Sequence, residues 1–189
     1  METSASSASA AQRPSLLPTG LVLLAFLVVA VVFCSTADWY LTFKALHVSF
    51  AVIWIGGGFM LTILGIIAER EQDEEQIVVV VRQASFVGER IFTPASLIVL
   101  LAGIAMMINV DWGWDHFWVT FGLLGFLATF VTGIAVLSPR AKKVKALVAT
   151  AGPAAPETQA AIRELLLIAR IDLAVLLLVI VDMVVKPFS

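Results

Sequence analysis

Charge, cysteine, histidine and tyrosine are all scarce in this chain of 189 residues, and each scarcity narrows what it can be. A single cysteine, Cys34, excludes an internal disulfide framework. The formal net charge of −2 and the lack of a basic cluster interleaved with aromatics leave no electrostatic footprint for nucleic acid. Charged residues make up 14% of the chain and hydrophobic ones 60%, well outside the range of soluble domains. The chain therefore reads as an integral membrane protein whose first partner is the lipid bilayer. Its apolar runs are continuous, without the period of two that a lipid-facing barrel requires.

Five apolar segments are present: Leu16 to Cys34, Tyr40 to Ile67, Phe92 to Val110, Phe117 to Leu137 and Leu165 to Val185. Each is long enough for a helix to cross the hydrocarbon, and the second is longer than it needs to be. The expected fold is all-α, a polytopic membrane helix bundle with five transmembrane helices. Its parts are a disordered cytoplasmic tail over residues 1–15, an N-terminal transmembrane helix or signal anchor over 16–34, and a four-helix membrane domain over 38–189. The first segment also has the form of a secretory signal, with small residues ahead of a cleavage point after Ala37.

Basic residues orient the bundle. Arg13, then Arg70, Arg82 and Arg90, then Arg140, Lys142, Lys143, Lys145 and Arg163 occupy regions that belong on one side, which the positive-inside rule makes cytoplasmic. The N-terminus is then inside and the C-terminus outside. Trp39, Tyr40, Trp112, Trp114 and Trp118 gather at the opposite level, as an interfacial aromatic belt would. Only Trp54 lies deep. The acidic stretch after Ala68 reads as a solvated extension of the second helix, and the apolar Ile77 to Val81 as a segment on the membrane surface. Residues 149–156 form a flexible connection, and the last helix starts near Pro156 to Thr158.

The residues with chemistry concentrate in the outer half. Lys44 and His47 interrupt one of the most apolar stretches of the chain, and ionisable groups at membrane depth usually find a partner and mark function. Lys44 can snorkel outward, whereas histidine cannot reach as far. Counting inward from the outer ends places Asp182 and Lys44 at similar depth, so the two read as an ion pair, with Lys186 one turn from Asp182. His47 reads either as an interhelical hydrogen bond or as a ligand to haem iron, copper or zinc. Met106, Met107 and Met183 lie in the outer parts of their helices, as packing residues or as second ligands. His116 lies about 10 Å shallower by helical rise, which argues against a His47/His116 axial pair. Gly56, Gly57 and Gly58 either permit close helix packing or leave room for a flat macrocycle beside His47. On the inner side, Arg170 and Asp172 read as an ion-paired helix entrance, with Arg90 able to meet Asp172.

The segment Phe43-Lys-Ala-Leu-His47, followed by Trp54 and Gly57, and the terminal Asp182-Met-Val-Val-Lys-Pro-Phe188 resemble the two ends of a family of predicted bacterial integral membrane proteins of unknown function. That family is similar to the HemJ-type protoporphyrinogen oxidases and, more distantly, to the CopD copper-resistance membrane proteins. The resemblance covers residues 39–188 and implies a multi-pass protein of the bacterial inner membrane. It implies that His47 and Lys186 fall where the HemJ type has the residues tied to haem and activity. The HemJ type has a second histidine where this chain has Ala68 and Glu69, and an Asn-Glu-x-Pro segment where it reads Ala169-Arg-Ile-Asp172. These departures favour the uncharacterised relatives over the oxidase.

Three readings follow. One is a haem b-associated redox protein in which His47 is an axial ligand and Lys44, Lys186 or Asp182 borders the haem or porphyrin. The second is copper handling through His47 with Met106, Met107 or Met183. The third is a structural subunit without cofactor, in a homo-oligomer or a membrane complex. Whether the protein is an enzyme is left open by the sequence.

Overall fold

The computed structural model describes residues 17–110 and 113–188. The tail expected over residues 1–15, Arg13 and Trp112 lie outside them. Among the described residues there are helices and no strands. We label them α1 (Leu17–Ser35), α2 (Trp39–Glu71), α3 (Glu74–Val110), α4 (Phe117–Ala151) and α5 (Pro156–Val185). Three of them, α2, α3 and α4, are long and apolar enough to cross a membrane.

Local chemistry sets the boundaries. Asp38 caps α2, its carboxylate accepting from Leu41 N–H at 2.8 Å. At the other end Gln72 turns left-handed (φ 54°), and Asp73 caps α3 by accepting from Gln76 N–H at 2.8 Å. The connection is two residues long, so α2 and α3 form a tight antiparallel pair. Gly152 ends α4 with φ 89°, a conformation that favours glycine, and Pro156 opens α5 in its first turn, as expected. Lys186 closes α5 in the left-handed region, its N–H donating to Asp182 O at 2.8 Å, and Pro187 prevents continuation.

The helices α2, α3 and α4 contain 33, 37 and 35 residues. At about 1.5 Å per residue each exceeds the roughly 30 Å hydrocarbon core by several turns. The excess forms a helical extension at the charged end of the bundle, where Ala68, Ile77, Val81, Val144 and Ile162 pack into one core. This corrects the reading of Ile77 to Val81 as a membrane-surface segment. Ile77, Val80 and Val81 are buried, because α3 starts at Glu74 and turns this apolar face onto α4 and α5. A second layer, Ile55, Leu173 and Leu176 with Trp54 against it, lies mid-bundle. Met107, Trp118 and Val119, with Met183, form the third, at the aromatic end.

Each of α2, α3 and α4 is interrupted by a π-helical turn, over Val52–Gly56, Gly88–Phe92 and Thr132–Leu137. Such turns add a residue to the helical circuit and shift the faces presented beyond them; they recur at functional sites. Helix α1 leaves most of its described apolar side chains exposed, Leu21, Val28 and Phe33 among them. Lipid is the solvent that suits such a surface.

Candidate functional site

His47 lies two turns into α2, on the half that packs along α3. The approach is close because Gly103 faces the ring. A Cβ at position 103 would sit 3.2 Å from both Cε1 and Nδ1 of His47. The ring's Nδ1–H donates to the Val99 carbonyl at 2.8 Å. A carbonyl oxygen only accepts, so Nδ1 carries the hydrogen and the neutral ring keeps its lone pair on Nε2. A backbone carbonyl holding one ring nitrogen is the arrangement that fixes the tautomer and orientation of metal-ligating histidines.

His47 lines a cavity of 610 Å³ in the aromatic-end half, walled by all four helices of the bundle. That volume lies within the range of small-molecule and cofactor sites. Its walls are almost wholly apolar, with Trp54, Phe126 and Trp118 as the large surfaces and Gly56, Gly103 and Gly122 as the flat ones. Trp54 meets Phe126 edge-on, with ring centroids 5.6 Å apart. Met106, Met107 and Met183 all line the same space, so the structure brings together His47 and the three methionines singled out in the sequence.

Lys44 and Asp182 do not join them. Lys44 is exposed, with its ammonium 5.9 Å from the Tyr40 ring. Asp182 is only 5% exposed, packed against Gly122 of α4, and neither of its carboxylate oxygens has a hydrogen-bond partner. The Lys44–Asp182 ion pair expected from depth is therefore not formed. In this half α2 packs on α3 and α4 on α5, so equal depth does not bring α2 and α5 into contact. Lys186 instead places its ammonium 4.7 Å from the ring centroid of Trp118, a cation–π contact with a residue that lines the cavity, while Lys186 itself is not part of the lining. Trp118 is itself buried at 6% exposure, which removes it from the interfacial belt, whereas Trp39 and Trp114 are exposed as a belt requires. His116 is exposed at the N-cap of α4 and outside the cavity.

An unpartnered carboxylate buried this deeply destabilises its surroundings. Asp182→Leu is expected to raise stability in detergent by about 1–3 kcal/mol, the penalty of an unsatisfied buried polar group. Thermal unfolding measures it, and an unchanged or lower melting point would show that the carboxylate has a partner.

A second cavity, of 480 Å³, lies in the charged-end half. Trp54 and Leu176 line both spaces and divide them. Asp172 and Arg170 line the second one, about four turns into α5 rather than at its entrance. This corrects the sequence reading of the two as a helix entrance, which does not follow from its own helix start near Pro156 to Thr158. Arg170 pairs with Glu69 of α2, while Arg90 is exposed and Asp172 has no hydrogen-bond or ion-pair partner among the described residues. Carried through at about 3.6 residues per turn, the start at Pro156 already puts Asp172 mid-helix.

Residues 41–187 match the model of a family described as "predicted integral membrane protein (DUF2269)". The chain belongs to this family. The match takes in His47, both cavities and the Lys186-Pro187 close of α5. No curated protein and no solved structure matches the chain. As a member of this family, the chain is an integral membrane protein in a bilayer environment, and the cavity beside His47 is its best-formed candidate site.

Proposed function

We propose that this protein binds haem b or a related porphyrin in the aromatic-end cavity, with His47 as an axial ligand through Nε2, and acts in membrane redox chemistry. One observation carries the reading: a histidine whose Nδ1–H is held by the Val99 carbonyl lines an apolar 610 Å³ cavity. The donor set supports a macrocycle over a bare ion. Among the described residues no cluster of three His, Cys, Asp or Glu could hold a metal. A lone imidazole suits a metal that arrives with four equatorial ligands already in place.

When bound, haem would supply one-electron transfer at its iron. The chain's own residues do the rest. Val99 fixes the imidazole, Gly103 lets it sit against α3, and Trp54, Phe126 and Trp118 exclude water from the cavity walls. Lys186, stacked on the Trp118 ring, is the cation suited to a propionate; Lys44, exposed beside Tyr40, drops out of this role. Met106, Met107 and Met183 offer thioether sulfur on the same walls, for a sixth position or for Cu(I). Copper is therefore the second reading.

The topology that goes with this proposal is five transmembrane helices, α1 included, in a bacterial inner membrane. The basic charged end is cytoplasmic and the aromatic end outside. The resemblance to HemJ-type and CopD-type proteins points the same way. The test is the absorption spectrum and metal content of detergent-purified protein, before and after haem addition. A Soret band that is absent in His47→Ala is expected; no band in either sample overturns the haem reading, and copper bound in proportion to protein would support the second.

A further inference from the structure

The charged-end cavity combines one uncompensated carboxylate with aromatic walls. The charges on its lining cancel, except one. Arg170 is met by Glu69, and Glu89 is met by Lys142 at 3.5 Å and by the Ser138 hydroxyl at 3.3 Å. Asp172 alone has no partner among the described residues. Its neighbours on the cavity wall cannot supply one. The hydroxyls of Thr62, Ser85, Thr93 and Ser96 donate to carbonyls of their own helices at 2.8–3.0 Å, and that of Thr129 does so at 3.0–3.1 Å. With their hydrogens engaged, these hydroxyls present only acceptor lone pairs to a ligand. The rest of the wall is apolar or aromatic, with Trp54, Phe92 and Phe130.

An acceptor-rich space with one net negative charge calls for a cationic donor. Aromatic rings favour the same sign of charge. A divalent ion is poorly served, since the described residues hold no cluster of three His, Cys, Asp or Glu. The volume of 480 Å³ is that of an organic molecule. We propose that this cavity binds a protonated organic amine with an apolar body, held by Asp172 as counter-ion, the hydroxyl oxygens as acceptors and the aromatic walls around its hydrocarbon part. Ionisable residues at membrane depth commonly mark such substrate pathways. The site is separate from the His47 cavity and does not depend on its occupant.

The test is calorimetric titration of the full-length protein in detergent with phenethylammonium, set against 2-phenylethanol and 3-phenylpropionate as neutral and anionic counterparts. Saturable binding of the amine is expected, with neither counterpart matching it. Asp172→Asn should weaken it at least about tenfold, as loss of a charge-assisted hydrogen bond implies. Binding of all three alike, no binding by the unaltered protein, or equal affinity in Asp172→Asn overturns the proposal. Should Asp172→Asn fail to fold, Ala84→Cys in a Cys34→Ala background keeps Asp172 and every hydroxyl acceptor and places a thiol on the cavity wall. Phenethylammonium should slow its maleimide modification several-fold, and an unchanged rate overturns the proposal. Repeating the titration in His47→Ala keeps the result independent of the haem reading.

Discussion

Gly103→Leu is expected to lower haem affinity by about 100-fold, the upper range for disturbing the residue that orients a metal ligand. Even a Cβ at this position would lie 3.2 Å from Cε1 and Nδ1 of His47, and the leucine branches extend further. The ring must then turn, which breaks its hydrogen bond to the Val99 carbonyl and frees the tautomer that this bond fixes. Gly103→Ala, with only the Cβ to accommodate, should retain more affinity than Gly103→Leu. Haem titration followed by absorbance separates the two. Equal affinity in the unaltered protein and Gly103→Leu would show that the ring's present position is irrelevant to haem.

A large loss of stability is expected from Gly57→Leu. A Cβ there would lie 2.7 Å and 2.9 Å from two ring atoms of Phe92, so α2 and α3 cross at this point only because position 57 has no side chain. Overpacking of this kind costs about 2–3 kcal/mol. For a chain of this size that corresponds to a fall in melting temperature of about 4–12 °C. Gly58 is the internal control, since nothing lies within 4 Å of its Cβ position. Gly58→Leu should change the melting temperature by far less, and equal effects at the two positions would remove the crossing argument.

Hydropathy and helical rise made the depth of each residue legible, and depth was enough to collect His47 with Met106, Met107 and Met183. It was not enough for Lys44 and Asp182. Whether two side chains at one depth meet depends on which helix faces which, and on azimuth around each axis. The π-turns at Val52–Gly56, Gly88–Phe92 and Thr132–Leu137 shift that azimuth without leaving helical dihedrals, so no hydropathy pattern reveals them. Their nearest trace in the sequence is the glycine each contains, Gly56, Gly88 and Gly133. The same limit applied to Trp118, whose level suited the belt but whose face turns inward to Met107 and Met183.

The helices' length was the other gap. An apolar window stops at the first run of charges, whereas α3 and α4 continue through theirs as amphipathic extensions. That is why Ile77 to Val81 looked like a surface segment, and why Arg170 and Asp172 looked like an entrance. The acidic run Glu69 to Glu75 contains only the turn at Gln72 and Asp73 between two long helices. The second cavity, with Asp172 inside it, follows from that continuation and was invisible without it.

The central claim is that His47 holds a haem iron through Nε2. It is tested most directly by titrating haem into His47→Gly with and without free imidazole, beside the unaltered protein. The substitution leaves a space of the ring's shape next to the Val99 carbonyl, where free imidazole can take the ligand's place. The expected result is a Soret band in the unaltered protein, its loss in His47→Gly, and its return when imidazole is added. A band of the same position and intensity in His47→Gly without imidazole would contradict the account.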